Sequence, residues 1–94
     1  MGLAVDVVKR SGQRPSETFD TDKLLYSIRA ACLSVRSPEG EAESTAASVT
    51  AAVVLWLENK PAVTSHDIRR MASSHLQRYH PEAAYLYQNH KVII

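Results

Sequence analysis

The apolar and polar positions at the start of the chain alternate in short runs. Val5 to Val8 is a brief, largely β-branched segment, and Lys9-Arg10-Ser11-Gly12 follows it, which is typical of a strand that runs into a turn. Residues 13–16 are turn-like, and Glu17 to Phe19 can return as a second short strand. The pattern predicts a small antiparallel hairpin.

From Asp20 onward the apolar spacing becomes that of a helix. The apolar positions of this first predicted helix are Leu24, Leu25, Ile28, Ala31, Cys32 and Val35. Asp20 or Thr21 is its expected N-cap. Residues 36–40 break the helix, and Ser37 before Pro38 is typical of an N-cap followed by proline at the first helical position.

A second helix is predicted from there to about Glu58, ending before the stop signal Asn59-Lys60-Pro61. Its expected buried face comprises Ala46, Val49, Val53, Trp56 and Leu57. Several β-branched residues lower its intrinsic helix propensity, so packing must stabilise it.

Two further helices complete the pattern. Val63 is expected in a short strand, and Thr64 with Asp67 fits a capping box that begins a third helix. The apolar face of that helix is Ile68, Met71, Ala72, His75, Leu76 and Tyr79. Pro81 then opens a fourth helix with apolar positions Ala83, Ala84, Leu86 and Tyr87.

These elements predict an α+β fold in which a four-helix bundle is capped by a small two- or three-stranded β-sheet. The strands are too short to form a layer of their own, so they must pack on the helices. The chain has 94 residues, which suits a single domain over residues 1–94.

Composition and charge limit the classes of function that the chain can have. Eleven basic and ten acidic residues give a net charge of +1, which excludes the broad positive field of sequence-independent DNA binding. The single Cys32 forms no internal disulfide, and no cysteine or histidine spacing is typical of zinc. The longest apolar stretch, residues 51–57, is far shorter than the roughly 20 residues of a membrane span. We expect a cytoplasmic protein with no membrane contact, no resident metal and no catalytic centre of its own.

Local charge is more informative than net charge. Lys9 and Arg10 are adjacent at the end of a strand, where a solvated pair is the common outcome but a polyphosphate is an alternative partner. Lys23 is expected in the first turn of a helix, beside the positive end of the helix dipole, so it needs an anion: Asp20 or a bound phosphate. Phe19 can stack on a base or staple the helix start to the core.

Three motifs in order resemble the ATP-cone family. They are Val-Val-Lys-Arg-x-Gly at 7–12, Phe-Asp-x-x-Lys-Leu at 19–24 and Ser-Ile-x-x-Ala-Cys at 27–32. Val63-Thr64-Ser65 with Ile68, and Ala84-Tyr85, resemble later landmarks of the same family. ATP-cones are regulatory domains of ribonucleotide reductases and of a nucleotide-sensing repressor of reductase genes. The resemblance implies binding of ATP or dATP, with Mg²⁺ held through the phosphates, on a four-helix bundle covered by a small sheet.

The resemblance also implies roles for individual residues. Lys9 and Arg10 correspond to phosphate contacts, and Val7 to a residue that lines the pocket. The base and ribose side corresponds to Glu17, Phe19, Asp20, Lys23 and Leu24. Thr64 lies at the start of the third helix, and Arg69 is expected to face the nucleotide. The chain departs from the family at Ser11, where an acidic residue is common, and in a spacer before Phe19 that is two residues longer than in many members.

The resemblance predicts a module that converts the ATP to dATP ratio into a change of oligomeric state or of contact with a partner such as a ribonucleotide reductase subunit. Two other function classes stay open. The second and third helices resemble a helix-turn-helix with His66, Arg69 and Arg70 near its recognition helix, although the net charge makes DNA an improbable ligand for this chain alone. Alternatively, the chain is a plain oligomerisation module that pairs through Leu86 and Tyr87 or through residues 92–94.

Overall fold

Four helices dominate the fold, as the sequence pattern predicts. The computed structural model describes residues 6–8, 17–58 and 60–89 of the chain. Its elements are β1 (Asp6–Val8), β2 (Glu17–Thr18), α1 (Thr21–Ser34), α2 (Glu39–Leu57), β3 (Ala62–Thr64), α3 (Ser65–Tyr79) and α4 (Pro81–Asn89). The predicted strand at Val63 and the predicted ends of the helices agree with these bounds to within a few residues.

The helix α1 is capped at both ends. The Asp20 carboxylate accepts hydrogen bonds from the amides of Asp22 at 3.0 Å and Lys23 at 3.3 Å, which confirms Asp20 as the N-cap. At the other end Arg36 adopts a φ of 65°, and its amide donates to the Leu33 carbonyl. The Ser37 amide donates to the Cys32 carbonyl at 3.1 Å. These two bonds form a Schellman motif in which a residue other than glycine takes the left-handed position.

The predicted N-cap of α2 is wrong by one residue. Pro38, not Ser37, is the N-cap, and it makes no side-chain capping bond, although its carbonyl accepts from the Ala42 amide at 2.9 Å. Ser37 is already engaged in closing the end of α1, so it belongs to the preceding turn. Glu39 and Glu41 in the first turn of α2 complement the helix dipole instead.

The three strands form one sheet in the order β2-β1-β3. β1 pairs antiparallel with β2, with Val7 opposite Glu17 and Asp6 opposite Thr18. It pairs parallel with β3, with Val7 opposite Val63. A parallel pair requires a long crossover connection, and here α1 and α2 lie between the two strands in the chain. The sheet therefore joins the beginning of the described chain to its middle.

The core is built mostly from small and β-branched side chains. Each helix packs on its neighbour in sequence, and α4 packs back on α1. The largest fully buried side chains are Tyr87, Ile28, Leu57, Leu76, Val49, Val53 and Cys32. Burial raises the pKa of the Cys32 thiol, which agrees with the prediction of Cys32 on the apolar face of the first helix. Among the described residues, no helix combines the length and apolar character needed to cross a bilayer.

Several positions on the predicted apolar faces are less buried than expected, among them Trp56, which is only half-buried. Tyr79 is 57% exposed, because it is the last residue of α3 and the chain turns away at His80. Ser73 of α3 is buried, although it was not predicted on the apolar face of that helix. Leu86 of α4 is only half-buried.

Candidate functional site

The centre of the candidate site is the three-residue strand β1. Val7 is 8% exposed, and its backbone pairs with Glu17 on one side and with Val63 on the other. Val8 lies opposite Thr64 in the register of β1 with β3. The pairing thus places two residues that were predicted to contact nucleotide, Val7 and Glu17, directly opposite each other, with Thr64 beside them.

The two flanking strands lead into two helix starts. β2 continues through Phe19 and Asp20 into α1, and β3 continues directly into α3. Since β2 runs antiparallel and β3 parallel to β1, the two helices start near opposite ends of β1, which spans about 7 Å. An α-helix carries unpaired amides and a partial positive charge at its N-terminus, so β1 has one such helix start near each of its ends.

The first of these starts carries four of the predicted site residues. Phe19 is 5% exposed and Leu24 is 6% exposed, and both belong to the core cluster. Asp20 is exposed, and its carboxylate is engaged as the N-cap of α1. Lys23 is exposed in the first turn, and within the described residues its ammonium forms no ion pair. The start of α1 therefore combines two buried apolar side chains with an exposed cationic one.

The start of α3 is fixed by a capping box, as predicted. The Asp67 amide donates to the Thr64 hydroxyl at 3.0 Å, and the Thr64 amide donates to the Asp67 carboxylate at 3.3 Å. The hydrogen bond from the Thr64 backbone lowers the pKa of Asp67, and the Thr64 side chain and the nearby Arg70 lower it further. The cap holds Thr64 in an extended conformation at the junction of β3 and α3.

Arg69 makes a contact that the sequence does not indicate. Its guanidinium donates from Nη1 to the Tyr87 carbonyl at 3.0 Å and lies 5.5 Å from the centroid of the Tyr87 ring. The side chain of Arg69 is therefore directed at α4 in this structure. Burial raises the pKa of the Tyr87 phenol, and the Arg69 charge and a hydrogen bond with Ser27 partly oppose that rise.

The structure thus brings together most of the described candidates. Val7, Glu17 and Thr64 meet across the sheet, while Asp20 and Lys23 lie at the start of α1 over the buried Phe19 and Leu24. Arg69 is further along α3 and is bonded to α4. Lys9 and Arg10, the predicted phosphate contacts, lie outside the described residues, although Lys9 follows Val8 in sequence. Among the described residues, no group of three acidic, histidine or cysteine side chains is arranged to hold a metal ion.

The structure also bears on the two other predicted function classes, a helix-turn-helix and an oligomerisation module. β3 lies between α2 and α3, whereas a helix-turn-helix joins its helices by a short turn. Arg70 of the supposed recognition helix pairs with Asp67 at 3.4 Å. The predicted pairing of Tyr87 with another copy is wrong, because Tyr87 is 1% exposed. Residues 92–94, the other predicted pairing segment, fall outside the described part of the chain.

Sequence reasoning missed the bond between Arg69 and Tyr87 because the two residues lie on different helices, eighteen positions apart. Tyr87 was assigned correctly to the core, and Arg69 was assigned to the nucleotide. The only local hint is that an arginine on α3 follows a buried isoleucine, which places it at the edge of the packed face.

One comparison with known proteins gives a match. A family model described as the ATP cone domain matches residues 5–90, which is nearly the whole chain. Searches of curated proteins and of solved structures find no significant match. The match extends from β1 through α4 and so includes both helix starts at the sheet. The chain therefore belongs to the ATP-cone domain family, whose members are nucleotide-binding regulatory modules.

Proposed function

We propose that this chain is a single, non-catalytic ATP-cone-like domain over residues 1–94 that binds ATP or dATP beside its sheet. The observation that carries the proposal is the meeting of three predicted site segments around β1: Val7 with Glu17, the start of α1, and Thr64 at the start of α3. In this proposal the sheet caps one end of the helix bundle, and the nucleotide lies between them.

The phosphates are assigned to the Thr64 end of β1. Val8 lies opposite Thr64, the residue before α3, and Lys9 and Arg10 follow Val8 in the sequence. Helix N-termini and basic side chains both favour phosphate, and arginine can bind it in a bidentate manner. Mg²⁺ would be held mainly through the phosphate oxygens, as is usual for nucleotide sites.

The base and ribose are assigned to the start of α1. Phe19 and Leu24 are buried apolar residues at this helix start, and Lys23 in its first turn is an exposed donor. Asp20 contributes mainly by capping α1, because its carboxylate already accepts two amides. Glu17 lies opposite Val7 in the pairing of β2 with β1 and is assigned to this side of the site.

Asp20 and Asp67 place carboxylates at the two helix starts, where they offset the positive ends of the helix dipoles. In this proposal the basic side chains therefore attract the phosphates more than the dipoles do.

Such a site is strong enough for a regulatory ligand. Two or three charge-assisted contacts contribute about 1.5 to 3 kcal/mol each, and contacts with the base add about 1 to 3 kcal/mol. Together these contacts supply about 4 to 12 kcal/mol before the cost of association is subtracted, and micromolar affinity corresponds to a net binding free energy of about 8 kcal/mol, so the proposed affinity requires contributions near the upper end of these ranges.

The regulatory output is a change of assembly. A nucleotide shifts an equilibrium only by its different affinity for the two states, so ATP and dATP must differ in their effect on a packing surface. We propose that the affected contact is with a second copy of the chain or with a partner such as a ribonucleotide reductase subunit, in the cytoplasm. Neither DNA nor a membrane is part of this proposal.

Calorimetric titration with ATP, dATP and GTP in Mg²⁺ tests the proposal. We expect the wild type to bind ATP and dATP with micromolar affinity, and Lys9→Ala and Lys23→Ala to weaken binding by about tenfold or more, as loss of a charge-assisted contact implies. Arg78→Ala is the matched control, since Arg78 is exposed in the last turn of α3, at the end of that helix away from Thr64. No binding of either nucleotide at millimolar concentration would disprove the function. Wild-type affinity in both lysine variants would show that the site is misplaced.

Light scattering in the same buffers tests the output. We expect the molar mass, alone or with a reductase subunit added, to differ between ATP and dATP. An unchanged mass in both nucleotides and with the partner would exclude control of assembly, while leaving nucleotide binding to be judged by the titration.

A further inference from the structure

The outward face of α2 carries no charge along most of its length. No aspartate, glutamate, lysine or arginine occurs from Ser44 to Leu57, whereas the solvent-facing side of a helix normally carries charged side chains. The residues on the exposed face, opposite the buried one, are Gly40, Ser44, Ala47, Ser48, Ala51 and Leu55. Leu55 is 69% exposed. A surface without charge and with an exposed large apolar side chain is typical of a protein contact.

Leu55 and Gly40 are the largest and the smallest residues on this face. A Cβ built on Gly40 would have nothing within 4 Å, so the surface there is open. The point midway between the two residues lies between Ala47 and Ser48, at the middle of α2, about 11 Å along the helix from each. A second α2 laid antiparallel, with a two-fold axis at that point, would place each Leu55 on Gly40 of the other copy. Small residues at the crossing point let the two helices approach closely.

The helix α1 lies beside α2 at a register that one ion pair defines. The two helices are joined by residues 35–38 and form an antiparallel pair. Arg29 Nε lies 3.6 Å from Glu43 Oε1, which sets these two residues level with each other. The middle of α2 then lies level with the point between Leu24 and Leu25 of α1, because both helices rise by the same distance per residue.

Charges on α1 are arranged about nearly the same point. Asp22 is exposed and Arg29 is half-buried, and they lie seven residues apart on one face of α1, with Tyr26 between them at 63% exposure. Their midpoint lies between Leu25 and Tyr26, which is one residue, or about 1.5 Å, from the level that α2 indicates. The same two-fold axis would therefore bring each Asp22 to Arg29 of the other copy, and both Tyr26 rings near the axis.

The Arg29 guanidinium has capacity for a second carboxylate. Its Nε is buried and has no hydrogen-bond partner among the described residues, since the pair with Glu43 is long. An arginine side chain carries five N–H donors, so a carboxylate from another chain can be accepted beside Glu43. Apolar shape on α2 and charge on α1 are thus both self-complementary about one axis.

We infer that the outer face of α1 and α2 binds a second copy of the chain in an antiparallel two-fold dimer. The residues of this α1–α2 face are Asp22, Tyr26, Arg29, Gly40, Ser44, Ala47, Ser48, Ala51 and Leu55. The inference goes beyond the proposed function and does not depend on nucleotide binding. With helices about 10 Å in diameter, the overlapping surfaces bury roughly 1,000 Å² in total, which is the lower limit of a specific interface. The dimer is accordingly weak and exchanges with the monomer.

Sedimentation equilibrium without nucleotide, from micromolar to millimolar protein, tests the dimer. We expect a reversible dimer in wild type, weakened about tenfold or more by Leu55→Ala and by Gly40→Leu, because each change acts twice in a symmetric contact. Gly40→Leu should still fold, since the space around Gly40 is open and leucine favours a helix more than glycine does. Combining Gly40→Leu with Leu55→Ala exchanges the large and small positions and should recover most of the lost affinity.

Tyr85→Ala is the matched control for loss of an exposed apolar side chain. Tyr85 is 70% exposed, but it belongs to α4 and lies outside the α1–α2 face. This variant should dimerise like wild type. Far-UV circular dichroism and urea unfolding of every variant establish that the bundle is folded before the masses are compared.

Disulfide cross-linking tests the position of the axis. In the antiparallel dimer the two copies of Ser48 are one residue apart along the helices, whereas the two copies of Ala51 are seven residues, or about 10 Å, apart. A disulfide requires Cα atoms within about 7 Å. Ser48→Cys should therefore cross-link under mild oxidation and Ala51→Cys should not. Cys32 is buried and is common to both proteins.

Three results would overturn the dimer. Wild type that stays monomeric at millimolar concentration has no such contact. A dimer that Leu55→Ala and Gly40→Leu leave unchanged uses another surface. Equal cross-linking of Ser48→Cys and Ala51→Cys excludes the antiparallel arrangement. None of these results bears on nucleotide binding, which calorimetry judges separately.

Discussion

Thr64 and Asp67 cap the third helix reciprocally, with the Asp67 amide 3.0 Å from the Thr64 hydroxyl and the Thr64 amide 3.3 Å from the Asp67 carboxylate. Thr64→Ala removes the hydroxyl acceptor and should lower the free energy of unfolding by about 1 kcal/mol. Thr64→Ser keeps the acceptor and should stay close to wild type. Urea denaturation measures both, and equal stability of wild type and Thr64→Ala would show that the cap contributes nothing.

The same capping box predicts a dependence on acid. Its hydrogen bonds lower the pKa of Asp67 in the folded protein, so the stabilisation is present above the ordinary pKa of the group and is lost as pH falls below it. We expect the unfolding free energy of wild type to decrease over that acidic range, and Asp67→Asn to decrease less steeply. Identical slopes in urea denaturation series of the two proteins would contradict this.

Arg36 occupies a left-handed position that favours glycine. Its φ is 65°, and the backbone bonds that close α1 require that conformation. Arg36→Gly should therefore raise the unfolding free energy, by about 0.5 to 1 kcal/mol after the greater flexibility of unfolded glycine is subtracted. Arg36→Ala, which keeps the Cβ, is the control for loss of the charged side chain and should not stabilise. Thermal unfolding that ranks Arg36→Gly at or below Arg36→Ala would refute the assignment.

The Thr50 hydroxyl is buried in α2 without a hydrogen-bond partner among the described residues. Replacement by the nearly isosteric valine removes the cost of desolvating that hydroxyl, so Thr50→Val should stabilise the protein by about 1 kcal/mol. Thr45→Val changes a half-buried threonine of the same helix and controls for the helix propensity of valine. A loss of stability in Thr50→Val, beyond that of the control, would reveal a hydrogen bond to this hydroxyl.

Tyr87 makes the fold sensitive to alkali. Burial raises the pKa of its phenol, so folding favours the neutral form and stability falls as pH rises above the ordinary tyrosine pKa. Tyr87→Phe should lose this part of the decline while keeping most of the packing. Ultraviolet titration should lack one late tyrosinate step in the variant, and loss of a step at the ordinary tyrosine pKa instead would place the phenol in solvent.

Local signals in the sequence were sufficient for most of the secondary structure. Apolar spacing located the four helices, and the residue types at Asp20, Thr64 and Asp67 identified caps that the structure contains. These features depend on side chains within a few residues of each other, so one segment carries the whole signal. The predicted N-cap of α2 was wrong because the Ser37 amide closes the end of α1 instead.

Contacts between distant segments could not be predicted in the same way. The bond from Arg69 to the Tyr87 carbonyl involves a backbone acceptor, and every residue type presents the same carbonyl. Tyr79 matched the helical period of α3 but lies at its end, where no neighbouring helix remains to cover it. The family resemblance supplied the site residues, and the pairing of β1 brings several of them together, but their ligand contacts remain predictions.

The parallel pairing of Val7 with Val63 has a consequence for the order of folding. The chain between these partners contains the whole of α1 and α2, and contacts at such separation form late in folding because closing a long loop costs entropy first. On the ribosome, α1 can be capped by Asp20 well before β3 has been synthesised. A nascent chain can therefore form α1 and α2 before its proposed nucleotide site is complete, and ligand cannot assist the earliest steps of its folding.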